Sequence, residues 1–137
     1  MKETTLTNAI KLALSKHGQY CRVENAVSKG MPDINFFRRG KEHWIEAKIL
    51  RGQRVHFEAS QITLMKTRVK HSGEVLIFVR KEDEMWILKA SKIIDQMVYL
   101  AGHMKPHLEF HQVRDSHDFY TKKPMDWEGV LGFLKSY

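Results

Sequence analysis

A single cysteine, Cys21, in a chain of 137 residues excludes an internal disulfide. A reducing cytoplasm, of a bacterial cell or a phage-infected host, is the expected setting. No window reaches the ~18 consecutive apolar residues of a membrane helix, so no membrane partner is expected. The opening Met1-Lys2-Glu3-Thr4-Thr5 lacks a basic stretch followed by an apolar core, so no secretory signal is expected either. Internal repeats, low-complexity segments and obvious linkers are absent. The eight histidines form no zinc signature. His107 and His111 stand four apart, but no helix is clearly predicted around them. Acidic residues are the minority, 16 against 23 Lys and Arg, for a net charge of +7. That excess fits a polyanionic partner, because each phosphate contact releases a condensed counterion. Solubility is the other use of such charge.

Hydrophobic residues make up 42% of the chain and charged residues 28%, the balance of one globular domain with a continuous core. Leu6, Ile10, Ala13 and Leu14 recur at helical spacing, which predicts a helix from Glu3 to His17 stopped by Gly18. Tyr20 to Val23 alternates briefly as a strand, and Asn25 to Met31 reads as a loop. Ile34 to Phe37 and His43 to Ala47 are strands rich in branched and aromatic residues. The turn Arg39 to Glu42 between them predicts a hairpin. Leu50 to His56 is basic, carries Gly52 and reads as a mobile loop. Phe57 to His71 returns to helical spacing, with Ile62, Met65 and Val69 on one face. Val75 to Val79 is a continuous apolar run, expected of a central strand covered on both faces, and Met85 to Leu88 follows as another. The order predicts an α/β layer arrangement. Beyond residue 90 the pattern is weaker. Ile93, Ile94, Met97 and Leu100 suggest a helix, Leu108 to Val113 a strand, and Trp127 to Leu134 a short helix. Residues 1–90 are read as the core and 91–137 as an extension packed on the same domain.

The stretch that carries chemistry is Gly30-Met31-Pro32-Asp33, followed after twelve residues by Glu46-Ala47-Lys48. With a hairpin loop of Arg39 to Glu42, Arg38 pairs with His43, Asn35 faces Glu46 and Asp33 faces Lys48. Paired residues share a face and faces alternate along a strand. Asp33, Glu46 and Lys48 then emerge on one side, while Ile34, Phe36, Ile45 and Ala47 point into the core. Two converging carboxylates repel, and a hard divalent cation such as Mg²⁺ or Mn²⁺ resolves the conflict. Such a cation can polarise a phosphodiester and activate water, and a nearby ammonium can stabilise charge developing on phosphate. A Glu-x-Lys triplet is also common on solvated strands. Pro32-Asp33 at hairpin distance is what lifts this one above that background. Cys21, in an apolar strand without a marked base, reads as a packing residue.

The Gly30-x-Pro32-Asp33 … Glu46-Ala47-Lys48 pattern resembles the PD-(D/E)XK nuclease superfamily, and within it the VRR-NUC branch of small stand-alone phage and bacterial nucleases. The resemblance covers about residues 1–90. Glu3 stands where that branch carries an acidic residue at the start of the first helix. Arg22-Val23-Glu24-Asn25 precedes the Gly-x-Pro-Asp element at the usual place. Gln61 falls on the helix where related nucleases often have a glutamine. The resemblance implies a restriction-endonuclease-like α/β core, a mixed central β-sheet flanked by helices. It implies Mg²⁺, with Mn²⁺ able to substitute, held by Asp33, Glu46 and the Ala47 backbone carbonyl. Glu3 either completes this set or serves as a carboxylate favoured by the helix dipole; Glu24 is a weaker substitute for it. Gln61 either holds Lys48, the water or a phosphate, or is an exposed helix residue. Arg51, Arg54 and His56 either contact DNA phosphates or form a solvated basic loop. Lys66, Arg68 and Lys70 either extend that surface or simply face solvent.

The function expected is metal-dependent hydrolysis of DNA phosphodiester bonds by a structure-selective endonuclease. Branched DNA such as a Holliday junction is the favoured substrate, and a homodimer the favoured assembly. A nickase or restriction-type endonuclease is the nearest alternative. A non-cleaving DNA-binding protein on the same fold is the alternative from another class, and an RNA-processing nuclease a third.

Overall fold

The computed structural model describes residues 1–23, 29–97 and 105–136. Glu24, Asn25 and Leu100, named above, lie outside the described residues. The first helix, α1 (Glu3–Leu14), buries Leu6, Ile10 and Leu14 completely, which is the i, i+4, i+8 stripe of its sequence. It stops a turn short of His17. Strands β1 (Gln19–Arg22), β2 (Ile34–Arg38) and β3 (Lys41–Ile49) follow as an antiparallel meander.

The β2–β3 hairpin is tighter than the sequence suggested. Arg38 pairs with Lys41, so only Arg39 and Gly40 form the turn. Both have positive φ, 50° and 79°, the combination that matches a two-residue turn to strand twist. Asn35 therefore faces Trp44 and not Glu46. The register differs from the expected one by two residues. Because side chains alternate with period two, every residue keeps the face assigned to it.

After β3 the chain forms β4 (Arg54–His56), α2 (Ala59–Lys70), β5 (Leu76–Lys81) and β6 (Glu84–Lys89). Then come α3 (Ala90–Ile93), a 3₁₀ turn, β7 (His107–Glu109), α4 (Phe110–Ser116), β8 (Phe119–Lys122) and α5 (Trp127–Ser136). Among the described residues a six-stranded sheet runs β1-β2-β3-β5-β6-β8. Only β3 and β5 pair in parallel, across the α2 crossover, which makes the sheet mixed. Strand β5 is buried on both faces, as its unbroken apolar run predicted.

Four expectations need correction. Cys21, read as a packing residue, is exposed on β1. Leu50 to His56 is not a mobile loop. Val55 is fully buried, and β4 pairs with β7 in a second small sheet. Phe110 to Val113 is not strand but the start of α4, because Glu109 and Gln112 form a capping box there. Finally, β8 was not expected at all, yet it is the sixth strand of the main sheet.

Two cores sandwich that sheet. Ile34, Phe36, Ile45, Ala47, Leu76 and Phe78 pack on one face against α1 and α5. Ile77, Val79, Trp86 and Leu88 pack on the other, with Ile62 and Met65 of α2 and Val113 of α4. In β3 this second face carries Glu46 and Lys48 instead of apolar residues, at 2% and 6% exposure. Buried charges without a purpose are rare, because desolvation penalises them. Among the described residues no helix is long and apolar enough to cross a membrane.

Candidate metal centre and active site

Asp33 sits just before β2, where the β2–β3 ladder ends at Ile34–Ile45. Beyond that pair, the Ala47 N–H has no strand partner, and the Asp33 carboxylate takes its place: Ala47 N donates to Asp33 Oδ2 at 2.9 Å. The Asp33 carbonyl accepts from Val23 N at 2.8 Å, which ties the segment to the end of β1. A residue's N–H and C=O leave an extended strand on the same edge. The Ala47 carbonyl therefore turns toward Asp33 and away from β5.

Gly30 sets the approach of this segment to α2. Its φ is +85°, and a Cβ there would lie 2.2 Å from the Ser60 carbonyl oxygen. Gly40 has a similar φ of +79° but open space around it. Gly30→Ala is therefore expected to destabilise the fold by more than Gly40→Ala, beyond the ~1–2 kcal/mol of left-handed strain that the two share. Denaturant titration of both variants checks this, and equal losses would mean that the Ser60 contact is not limiting.

Glu46 is the most buried of the acidic groups in the site. Its Oε2 accepts from Gln61 Nε2 at 2.9 Å and lies 3.6 Å from Lys48 Nζ. Glu3, from the start of α1, and Asp33 bring their carboxylates to the same point. Ligand oxygens of Glu3, Asp33 and Glu46 all fall within 4.8 Å of one another. Lys48 Nζ donates to Gln61 Oε1 at 2.9 Å and stands 5.0 Å from the centre of the Phe57 ring. The same Oε1 accepts from Glu58 N at 2.8 Å. One amide thus caps α2 and holds both the Lys48 ammonium and the Glu46 carboxylate. Its donor and acceptor ends are fixed by what each faces.

Burial pushes the Glu46 carboxyl up to about 8, helped by the neighbouring Asp33 charge and only partly opposed by Lys48. The ordinary value is 4.5, so the folded chain holds this proton more tightly than the unfolded one does. Stability from that proton is full below pH ~4.5 and is lost as pH rises through ~8. The metal-free protein is therefore expected to melt at lower temperature at pH 8 than at pH 6. Glu46→Gln, which cannot ionise, should flatten that window. Melting in chelator tests it, and a wild-type midpoint that rose from pH 6 to pH 8 would contradict it. The donor set itself fits a hard divalent cation: oxygens only, mutually repulsive when ionised, and with one buried carboxyl that keeps its proton until something positive displaces it.

The basic segment behaves differently from this cluster. Arg51 and His56 are exposed. Arg54 Nε lies 3.3 Å from Glu109 Oε1 and is engaged within the β4–β7 sheet. The His56 ring lies 5.9 Å from that of His107, and burial and this neighbour lower its pKa. Lys105, ion-paired with Glu58 at 2.7 Å, brings the later part of the chain against the start of α2. Glu58 was missed in the sequence. Its signal was the Glu58-x-x-Gln61 spacing of a capping box, used a second time at Glu109-x-x-Gln112.

No family model and no curated protein matches the chain. Among solved structures it is similar to Hjc, a Holliday junction resolvase from the archaeal hyperthermophile Archaeoglobus fulgidus, with a TM-score of 0.59 and 15% identity. The match covers 82% of this chain and 93% of that one. At that identity the likeness is one of architecture, and the chain shares the mixed α/β fold of that resolvase.

Proposed function

We propose that the chain is a metal-dependent endonuclease that hydrolyses DNA phosphodiester bonds, selective for branched structures such as a four-way junction. The observation that carries this is the convergence of Glu3, Asp33 and Glu46 beside a buried Lys48 held by Gln61. Asp33 and Glu46 hold the cation, with the Ala47 carbonyl as a further oxygen and Glu3 completing the set. Mg²⁺ is the metal proposed, with Mn²⁺ able to replace it. Bound there, it supplies a Lewis acid for the phosphate and a lowered pKa for water. Lys48 stabilises charge that develops on the phosphate, and Gln61 keeps the ammonium aimed and the Glu46 carboxylate in place.

The shared fold with a junction resolvase supports the choice of branched DNA. The Gly30-x-Pro32-Asp33 pattern and Glu3 support the VRR-NUC-like branch. Resolution takes two coordinated cuts, which a symmetric homodimer supplies. The natural site of action is the cytoplasm of a bacterial cell or of a phage-infected host. The test is a cleavage panel of linear, nicked, flapped and four-way DNA with Mg²⁺ or Mn²⁺. Preferential cutting of the four-way substrate is expected. Equal cutting of linear duplex would favour the nickase or restriction-type activity, and no cutting of any substrate would remove the nuclease assignment.

A further inference from the structure

Resting on the nuclease assignment, we propose that the open groove along α2 carries the sugar-phosphate backbone of the substrate on one side of the cut. The groove has a volume of about 640 Å³ and is lined by Lys29, Ser60, Thr63, Leu64, Thr67 and Arg68. It begins at Ser60, which Gly30 packs against and which precedes Gln61, the residue bonded to Glu46. From Ser60 to Arg68 the helix rises ~12 Å, at 1.5 Å per residue. That length spans three to four base steps at ~3.4 Å each.

Charge singles this groove out. A cation stands at each end, and among the described residues no carboxylate lines it. The cleft between Lys81 and Lys123 contains Glu82, Asp83 and Glu84, and the cleft over Gly73 contains Glu42 and Glu74. Lysines offset the acids in the first, and Lys41 and Arg68 offset them in the second, so neither has the net positive lining of the α2 groove. The cationic cavity at Arg38, Arg39 and Lys41 is bounded by His43 and Leu134, on the α5 side of the sheet. It therefore lies across the sheet from Glu46. The expected contact at Arg51 to His56 is weakened, since Arg54 is paired with Glu109.

Arg68 is also held ready. Its guanidinium stacks 4.6 Å from the centre of the Trp44 ring. Trp44 lies two residues before Glu46 on the same face of β3, ~7 Å along the strand. An arginine fixed in this way loses less freedom when it binds phosphate. Thr63 and Thr67 donate their hydroxyls to helix carbonyls one turn back, at 3.1 and 3.0 Å. They give the groove a low, uncharged wall that lets a backbone come close, and the two cations supply the attraction.

The experiment measures four-way DNA binding by anisotropy across 50–200 mM salt, in an Asp33→Asn background without metal. A slope of log K against log salt near −4 to −5 is expected for about five phosphate contacts. Lys29→Ala with Arg68→Ala should make that slope shallower by ~2 and weaken binding about tenfold or more. Thr63→Trp, at an exposed position, fills the groove at constant charge and should weaken binding and make the slope shallower, because the phosphates no longer reach the two cations. Melting temperatures verify that the variants fold. A wild-type slope in the double variant, or unchanged affinity in Thr63→Trp, overturns the groove. Cleavage by the otherwise native chain is scored separately. If it cuts DNA and the groove variants bind normally, only this inference falls. If it cuts nothing but the slopes change as expected, the groove stands and the nuclease assignment falls.

Discussion

Asp33→Ala and Glu46→Ala should each abolish DNA cleavage, a loss larger than the ~10²–10³-fold typical of one electrostatic group. Each removes a carboxylate proposed to hold the cation, from a set whose oxygens lie within 4.8 Å of one another. The alanine at Asp33 has a second effect, because the Ala47 N–H loses its acceptor. An unsatisfied buried donor costs about 1–3 kcal/mol. Asp33→Asn separates the two effects, since its amide oxygen can still accept that bond without the charge. Both Asp33 variants should be inactive, with Asn the more stable. Binding of metal-free DNA should tighten more for Asp33→Ala than for Glu46→Ala. Glu46 keeps its proton up to about pH 8, so replacing it removes little negative charge at neutral pH. Single-turnover cleavage and anisotropy check both parts. Wild-type rates in either alanine variant would sink the metal assignment.

Lys48→Met should lose about 10²–10³ in cleavage rate while Mn²⁺ affinity is kept. The ammonium lies against Glu46 and Gln61, and its stem runs through a buried, partly aromatic setting beside Phe57. Methionine preserves most of that bulk. It leaves Gln61 Oε1 bonded to Glu58 N, so the start of α2 should survive. The readouts are single-turnover cleavage and calorimetric Mn²⁺ binding. Normal cutting would reduce Lys48 to a buried counter-charge for Glu46. Loss of metal binding would show that Lys48 holds the carboxylates in place and does not act on the phosphate.

What the sequence disclosed, and what it hid, follows from which interactions are local. The faces of β2 and β3 were legible, because alternation depends only on parity. The register was not, since it turned on two positive φ angles at Arg39 and Gly40, a pair far less telling than Asn-Gly. Strand β5 was legible from five consecutive apolar residues. Strand β8 was not, because Phe119-Tyr120-Thr121-Lys122 is short and only Thr121 is buried. Its place is set by long-range pairing with β6. The segment 50–56 misled through its charge. Val55 and Phe57, buried at 0% and 1%, were the better guide, and their alternation points to a strand. In the site, Asp33, Glu46 and Lys48 came from a motif whose two halves are joined by one hairpin. Trp44 and the groove came only from folding, because they matter through what α2 is laid against, while Glu58 left a trace in its capping-box spacing to Gln61.

The late strand β8 has a consequence for any attempt to shorten the chain. It covers one side of β6, pairing Glu84 to Ile87 with Lys122 to Phe119. A fragment ending near residue 90 would keep every residue of the acidic cluster. It would also leave Met85-Trp86-Ile87-Leu88 as an open edge, four residues that the intact sheet buries. Flat apolar edges recruit strands from other molecules. A fragment cut at that boundary would therefore tend to self-associate and precipitate, whatever the state of its acidic cluster.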